Sequence, residues 1–237
     1  MSRTRRYAAL ALLALAAGCI VPTGPAKSIA TEVQVSTRGR GADSTHVHAL
    51  YIPIDGDRIA FRSDTLRVQN VTGTQAGGQR QFAFSATVPL DSAAVAGGLR
   101  VRLPVPAIGA VPHSEFTLYS VARRGSPSVT LRGGQDLVIP IFPGSSGTLG
   151  VPEYERWEVS FTRGGSGLTI SSPGPLSSTI VVPWALIPKV GSDTLQVRLY
   201  SNRSFRVDAP PATGSQPRLT TWIRADAHLE WSVPIVP

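Results

Sequence analysis

Two histidines of this 237-residue chain, His46 and His48, stand at i and i+2. On a strand that spacing turns both imidazoles to one face, where they could share a metal ion. A third ligand would come from Asp43, His113 or His228, which no local spacing brings together. Val47, Ala49 and Tyr51 occupy the alternate positions, so a wet strand face is the preferred reading of the pair. Asp55 and Asp57 flank Gly56, and paired loop carboxylates suit Ca²⁺. Asp and Gly also favour a backbone turn, here between Ile54 and Ile59, and the turn is preferred. Glu153, Glu155 and Glu158, interrupted by Arg156, read as a solvated strand edge. Catalytic carboxylates need a cleft and opposed environments, which this group does not imply.

The tryptophans carry the other candidate chemistry. Trp157, Trp184, Trp222 and Trp231 all lie in the second half of the chain. Exposed indoles could form a stacking platform for sugars or a hot spot for a protein partner. Trp157 and Trp231 keep the phase of their apolar neighbours and read as core. Trp184 follows Pro183 near a loop, and Trp222 shares no clear phase with Leu219 and Ile223. Those two are the candidate ligand-binding residues. The chain has no GxSxG elbow, HExxH pair, phosphate loop or GxGxxG turn. Gly164-Gly165-Ser166-Gly167 lacks the elbow spacing and reads as a hairpin tip. The expectation is a protein without catalytic residues or cofactor.

Charge narrows the partners. The formal charge is +8, from 23 basic and 15 acidic residues. The basic residues are spread along the chain, and only Lys27 and Lys189 are lysines. Nucleic-acid binding would want a concentrated basic stripe with interleaved aromatics, so it is not expected.

These side chains must be held by strands. Phe82, Phe84, Ala86 and Val88 alternate with polar or small residues, as do Leu99, Val101 and Leu103. The same period recurs at Trp157, Val159 and Phe161, at Leu195, Val197 and Leu199, and at Leu229, Trp231 and Val233. Period-2 patterning buries one face and wets the other. Glycine and proline turns separate the runs, and the 23 Gly and 20 Pro leave little room for long helices. Only 90–96, with Asp91 as N-cap, reads as a short helix.

The pattern predicts an all-β protein of two tandem immunoglobulin-like or fibronectin-like β-sandwiches. One large jelly-roll-like sandwich is the alternative. The expected division is a sandwich over 28–142, a linker over 143–150 and a second sandwich over 151–237. A six-residue echo, Ser63-Asp64-Thr65-Leu66-Arg67-Val68 and Ser192-Asp193-Thr194-Leu195-Gln196-Val197, agrees with a division.

The N-terminus carries an address. Arg3, Arg5 and Arg6 precede an apolar stretch over 7–17, then Gly18 and Cys19. A spanning helix needs roughly 20 apolar residues, so this stretch reads as a secretory signal. Ala16-Ala17-Gly18-Cys19 resembles the lipobox of bacterial lipoproteins, with Ala16 where leucine is usual. The resemblance covers the first 19 residues. It implies cleavage between Gly18 and Cys19, acylation of the Cys19 thiol and of the new amino group, and membrane lipid as a partner. Several acyl chains would hold the protein firmly, at about 0.8 kcal/mol per buried CH₂. Ile20 rather than Asp follows the cysteine, which by the same resemblance implies the outer membrane where a cell has two.

Removal of residues 1–18 would lower the charge to +5 and leave 219 residues, with 19–27 as a short tether. Cys19 is the single cysteine, so neither disulfides nor thiol chemistry would serve the mature fold. The sequence reading is therefore a lipid-anchored envelope protein with a binding or structural role. Its further partner would be an envelope protein or a glycan. A glycan-binding module using Trp184 and Trp222 is the alternative, and a metal-dependent enzyme using His46 and His48 is the least favoured.

Overall fold

The computed structural model describes residues 24, 26, 28–39, 44–56, 58–76, 82–89, 98–108, 114–123, 130–189, 193–208 and 219–236. Gly18 and Cys19, Asp43, Asp57, His113 and the helix expected over 90–96 lie outside the described residues. Within them the protein is all-β, and no helix is long and apolar enough to cross a membrane.

One sheet organises the chain. Its strands are β1 (Ile29–Gly39), β2 (Ser44–Pro53), β6 (Thr74–Ala76), β7 (Phe82–Pro89), β14 (Tyr154–Arg163), β15 (Ser166–Pro173), β17 (Thr194–Asp208) and β18 (Leu219–Val236). They lie in the order β15-β14-β17-β18-β1-β2-β7-β6, and β12 (Leu131–Arg132) adds a ninth strand beside the end of β18. All neighbours are antiparallel except β1 and β12, which run parallel to β18. β18 is 18 residues long, roughly 60 Å at about 3.3 Å per residue, and β17 has 15.

Smaller sheets cover one face of this long sheet at two places. Over one half lie β4 (Arg67–Val68), β5 (Val71–Thr72), β8 (Leu99–Arg102) and β10 (Glu115–Leu118), with the pair β3 (Phe61–Ser63) and β9 (Val105–Pro106). Over the other half lie β11 (Ala122–Arg123), β13 (Leu137–Phe142) and β16 (Thr179–Val182). Each cover encloses its own buried apolar cluster. The first gathers Val33, Val47, Phe84, Val101 and Phe116, and the second Ile139, Phe161, Val182, Leu199 and Leu229. Alternation dictates this: in β8, Leu99 and Val101 are buried while Arg100 and Arg102 are wet.

The clusters do not divide the chain into successive pieces. Ile223 and Ala225 of β18 pack in the first cluster, Ala227, Leu229 and Trp231 in the second. β17 does the same, with Phe205 in the first and Leu195, Val197 and Leu199 in the second. Val121 and Leu131 join the second cluster, and Leu149, in a 3₁₀ turn over Gly147–Leu149, joins the first. The six-residue echo does not mark equivalent places: Arg67 and Val68 form a two-residue cover strand, whereas Thr194 opens a strand of the long sheet. Glu155 and Glu158 do not lie on a sheet edge, because β14 pairs with β15 on one side and β17 on the other.

Between the clusters the interior turns polar. Thr37 and Thr45 share a hydrogen bond of 2.9 Å, and the Thr37 hydroxyl donates to Ser120 at 3.1 Å. Arg203, only 3% exposed, points inward from β17 and donates from Nη2 to the Tyr119 carbonyl at 2.8 Å. Burial lowers the pKa of its guanidinium, and the charge of Glu155 acts against that shift. Gly144 makes room for the contact. It has φ +71°, and a Cβ there would stand 2.5 Å from the Tyr119 oxygen and 2.9 Å from Arg203 Nη2.

Candidate binding face

Among the described residues no sheet covers the outward face of the long sheet, and its side chains form a grid set by strand register. Across β2, β1, β18 and β17 one row reads Leu50, Glu32, Trp222, Arg206. The next reads His48, Gln34, Arg224, Ser204, and the third His46, Ser36, Asp226, Asn202. Neighbours within a row lie about 4.8 Å apart at the backbone.

Asp226 anchors the grid. It accepts hydrogen bonds from Asn202 Nδ2, from Tyr200 Oη at 3.2 Å and from Gln34 Nε2 at 3.3 Å. Arg224 Nε lies 3.2 Å from either carboxylate oxygen of Asp226, and Arg224 Nη2 donates to Tyr200 Oη at 3.2 Å. The hydrogen bond with Tyr200, then the charge of Asp226, raises the Arg224 pKa further. These bonds fix the outward positions of three adjacent strands.

Beside this network lies a surface depression of about 280 Å³, lined by Glu32, Gln34, His48, Leu50, Trp222 and Arg224. Trp222 is 42% exposed. The Arg206 guanidinium sits 5.9 Å from its ring centroid, within cation–π reach. Glu32 is exposed and His48 half-buried, and neither side chain has a hydrogen-bond or ion-pair partner among the described residues.

The other candidate residues are placed elsewhere or spread apart. Trp184 lies in a 3₁₀ turn over Trp184–Leu186 and packs against the second cluster. Its backbone N–H donates to Asp136 Oδ1 at 2.8 Å, and Lys189 Nζ stands 3.7 Å from the centre of its ring. Trp184 and Trp222 therefore do not form one platform. Trp231 is buried in the second cluster and Trp157 packs partly buried against it.

His46 and His48 do share the outward face of β2, but His46 Nδ1 is 3.0 Å from Thr87 Oγ1. His228 lies on β18 with its Nε2 3.4 Å from Glu230 Oε1. Among the described residues no three His, Cys, Asp or Glu side chains gather to hold a metal ion. Asp55 Oδ1 accepts the Ser28 N–H at 2.8 Å, which ties the start of β1 to the turn after β2.

Glu32, Gln34, Leu50, Arg206, Arg224 and Asp226 escaped the sequence reading. The signal for three of the outward positions is present as Trp222, Arg224 and Asp226 at every second residue, continued by His228 and Glu230. It is masked because two of the intervening buried residues, Ala225 and Ala227, are weakly apolar.

No family model and no curated protein matches this chain. Among solved structures it is similar to the full ectodomain (Ig1-Ig3) of mouse nectin-like molecule 4, at 15% identity and a TM-score of 0.23. That likeness covers 86% of this chain and 63% of the ectodomain, so the chain spans less than two thirds of that protein.

Proposed function

We propose that this protein is a lipid-anchored cell-envelope lipoprotein whose body binds a partner and catalyses no reaction. The observation that carries the reading is the N-terminal pattern of arginines, a short apolar stretch and Ala16-Ala17-Gly18-Cys19. The anchor is the acylated Cys19, and Ile20 favours the outer membrane in a two-membrane cell. The two covered halves are two-layered and antiparallel apart from β1 and β12, an immunoglobulin-like architecture joined through one shared sheet. The uncovered sheet face is the surface offered to a partner, because its polar grid is held rigid by Asp226.

Growth of the native host with a radioactive fatty acid tests the anchor. The wild-type chain takes up label and the Cys19→Ser chain does not. An unlabelled wild-type chain overturns the reading. The depression beside Trp222 favours a second, compatible reading, in which the partner is a glycan.

A further inference from the structure

We infer that the depression over β1, between β2 and β18, is a subsite for one neutral pyranose ring, stacked on Trp222 and oriented by Glu32. The inference deepens the binding role proposed above and rests on it.

The stacking surface comes first. Trp222 sits on a central strand and faces away from both buried clusters, yet it keeps 42% of its surface exposed. Arg206 borders the ring from the β17 side. The depression opens on the β1 side, where Glu32 is the register partner of Trp222 and Leu50 that of Glu32. An indole and a leucine thus stand as apolar banks about 10 Å apart with a carboxylate between them. One face of a pyranose presents axial C–H groups, whose positive hydrogens suit the negative face of an indole.

The polar groups match the ring's rim. Sugar hydroxyls both donate and accept, so a site needs acceptors and donors at its edge. Glu32 is an acceptor with no side-chain partner among the described residues. Gln34, His48 and Arg224 line the same depression, and Arg224 supplies donors.

Charge selects among sugars. The Glu32 carboxylate in the floor repels an acidic ring, while Arg224 is already engaged by Asp226 and Tyr200. Toward a cationic amino sugar the attraction of Glu32 is offset by Arg206 beside the indole, while Arg224 is balanced by Asp226. A neutral ring remains. The volume of about 280 Å³ falls at the small end of ligand sites, which fits one ring of a longer glycan.

Titration of the mature-length protein by calorimetry against neutral cello-, xylo-, manno-, malto- and N-acetylchito-oligosaccharides tests the site. The expected result is saturable binding of at least one series. Trp222→Ala weakens it about tenfold or more, and Trp222→Phe recovers part of the loss. Glu32→Gln weakens it about fivefold, with unchanged melting temperatures for all three variants. Binding by none of the series, or binding undiminished by Trp222→Ala, overturns the subsite. Fatty-acid labelling is scored separately: labelled protein that ignores every sugar sinks the subsite and leaves the anchor standing, whereas sugar binding by unlabelled protein does the reverse.

Discussion

The two faces of β17 and β18 are built from alternate residues of the same segments and do opposite work. Inward, Leu195, Val197, Leu199, Phe205, Ile223, Leu229 and Val233 are buried in two apolar clusters. Outward, Trp222, Arg224 and Asp226 join a polar grid around a shallow depression. Between the clusters the inward face turns polar, where Arg203 and the Thr37–Thr45–Ser120 hydroxyls separate them. The lesson is that the shared strands tie two sandwiches into one unit while leaving the outward side chains around Trp222 outside both apolar clusters. Inward substitutions should then cost stability, and substitutions at outward Trp222 and Glu32 should cost binding alone.

The largest effect falls on the shared inward face. Leu229→Ala removes a fully buried side chain and costs about 2–5 kcal/mol, read as a lower urea midpoint. Because β18 serves both clusters, unfolding remains a single transition by tryptophan fluorescence and by circular dichroism. Two separated steps would break the idea of one unit.

Arg203→Ala follows, at about 1–3 kcal/mol, because it removes a charged hydrogen bond to the Tyr119 carbonyl, which keeps only the Ser145 N–H. A loss under a few tenths of a kcal/mol would show that the polar interior between the clusters is not needed.

Tyr51 offers a pH test of the inward face. Its hydroxyl donates to the Pro104 carbonyl at 2.6 Å, and its ring packs edge-on against Phe61 and Phe84. Burial pushes the phenol pKa far above its ordinary value of 10.0. Below pH 10 the phenol is neutral in both states and contributes no slope. Above it the unfolded phenol ionises while the folded one stays protonated, so stability falls as pH rises. Tyr51→Phe costs about 1 kcal/mol at neutral pH and flattens part of that alkaline decline. An identical decline in the variant would contradict the assignment.

The smallest stability effect belongs outside. Trp222→Ala should change stability by no more than about 0.5 kcal/mol in thermal denaturation, since Trp222 lies outside both clusters. A loss of core size would mean that the indole serves the fold rather than a ligand.

The fold class was legible because strand alternation is local. The runs around Phe84, Val101, Val159, Val197 and Trp231 became β7, β8, β14, β17 and β18. What escaped is long-range. Nothing near Leu219 announces that it pairs with Ile29, and without that pairing the chain reads as successive sandwiches instead of halves sharing a sheet. Strand length was hidden for a physical reason too, since Ala225 and Ala227 line the interior where the clusters approach each other and little space remains. The glutamates of β14 misled because a charged strand suits an edge equally well. Of the candidate site, Trp222 was visible by its type. Its companions Glu32 and Arg224 became neighbours only through register.

The most direct test of the proposed lipoprotein is the intact mass of the protein extracted from membranes of its native host. A chain that begins at Cys19, heavier than its sequence mass by a diacylglyceryl group and an N-linked acyl chain, is the predicted result. A chain with an unmodified Cys19, or one that starts at any other residue, would contradict it.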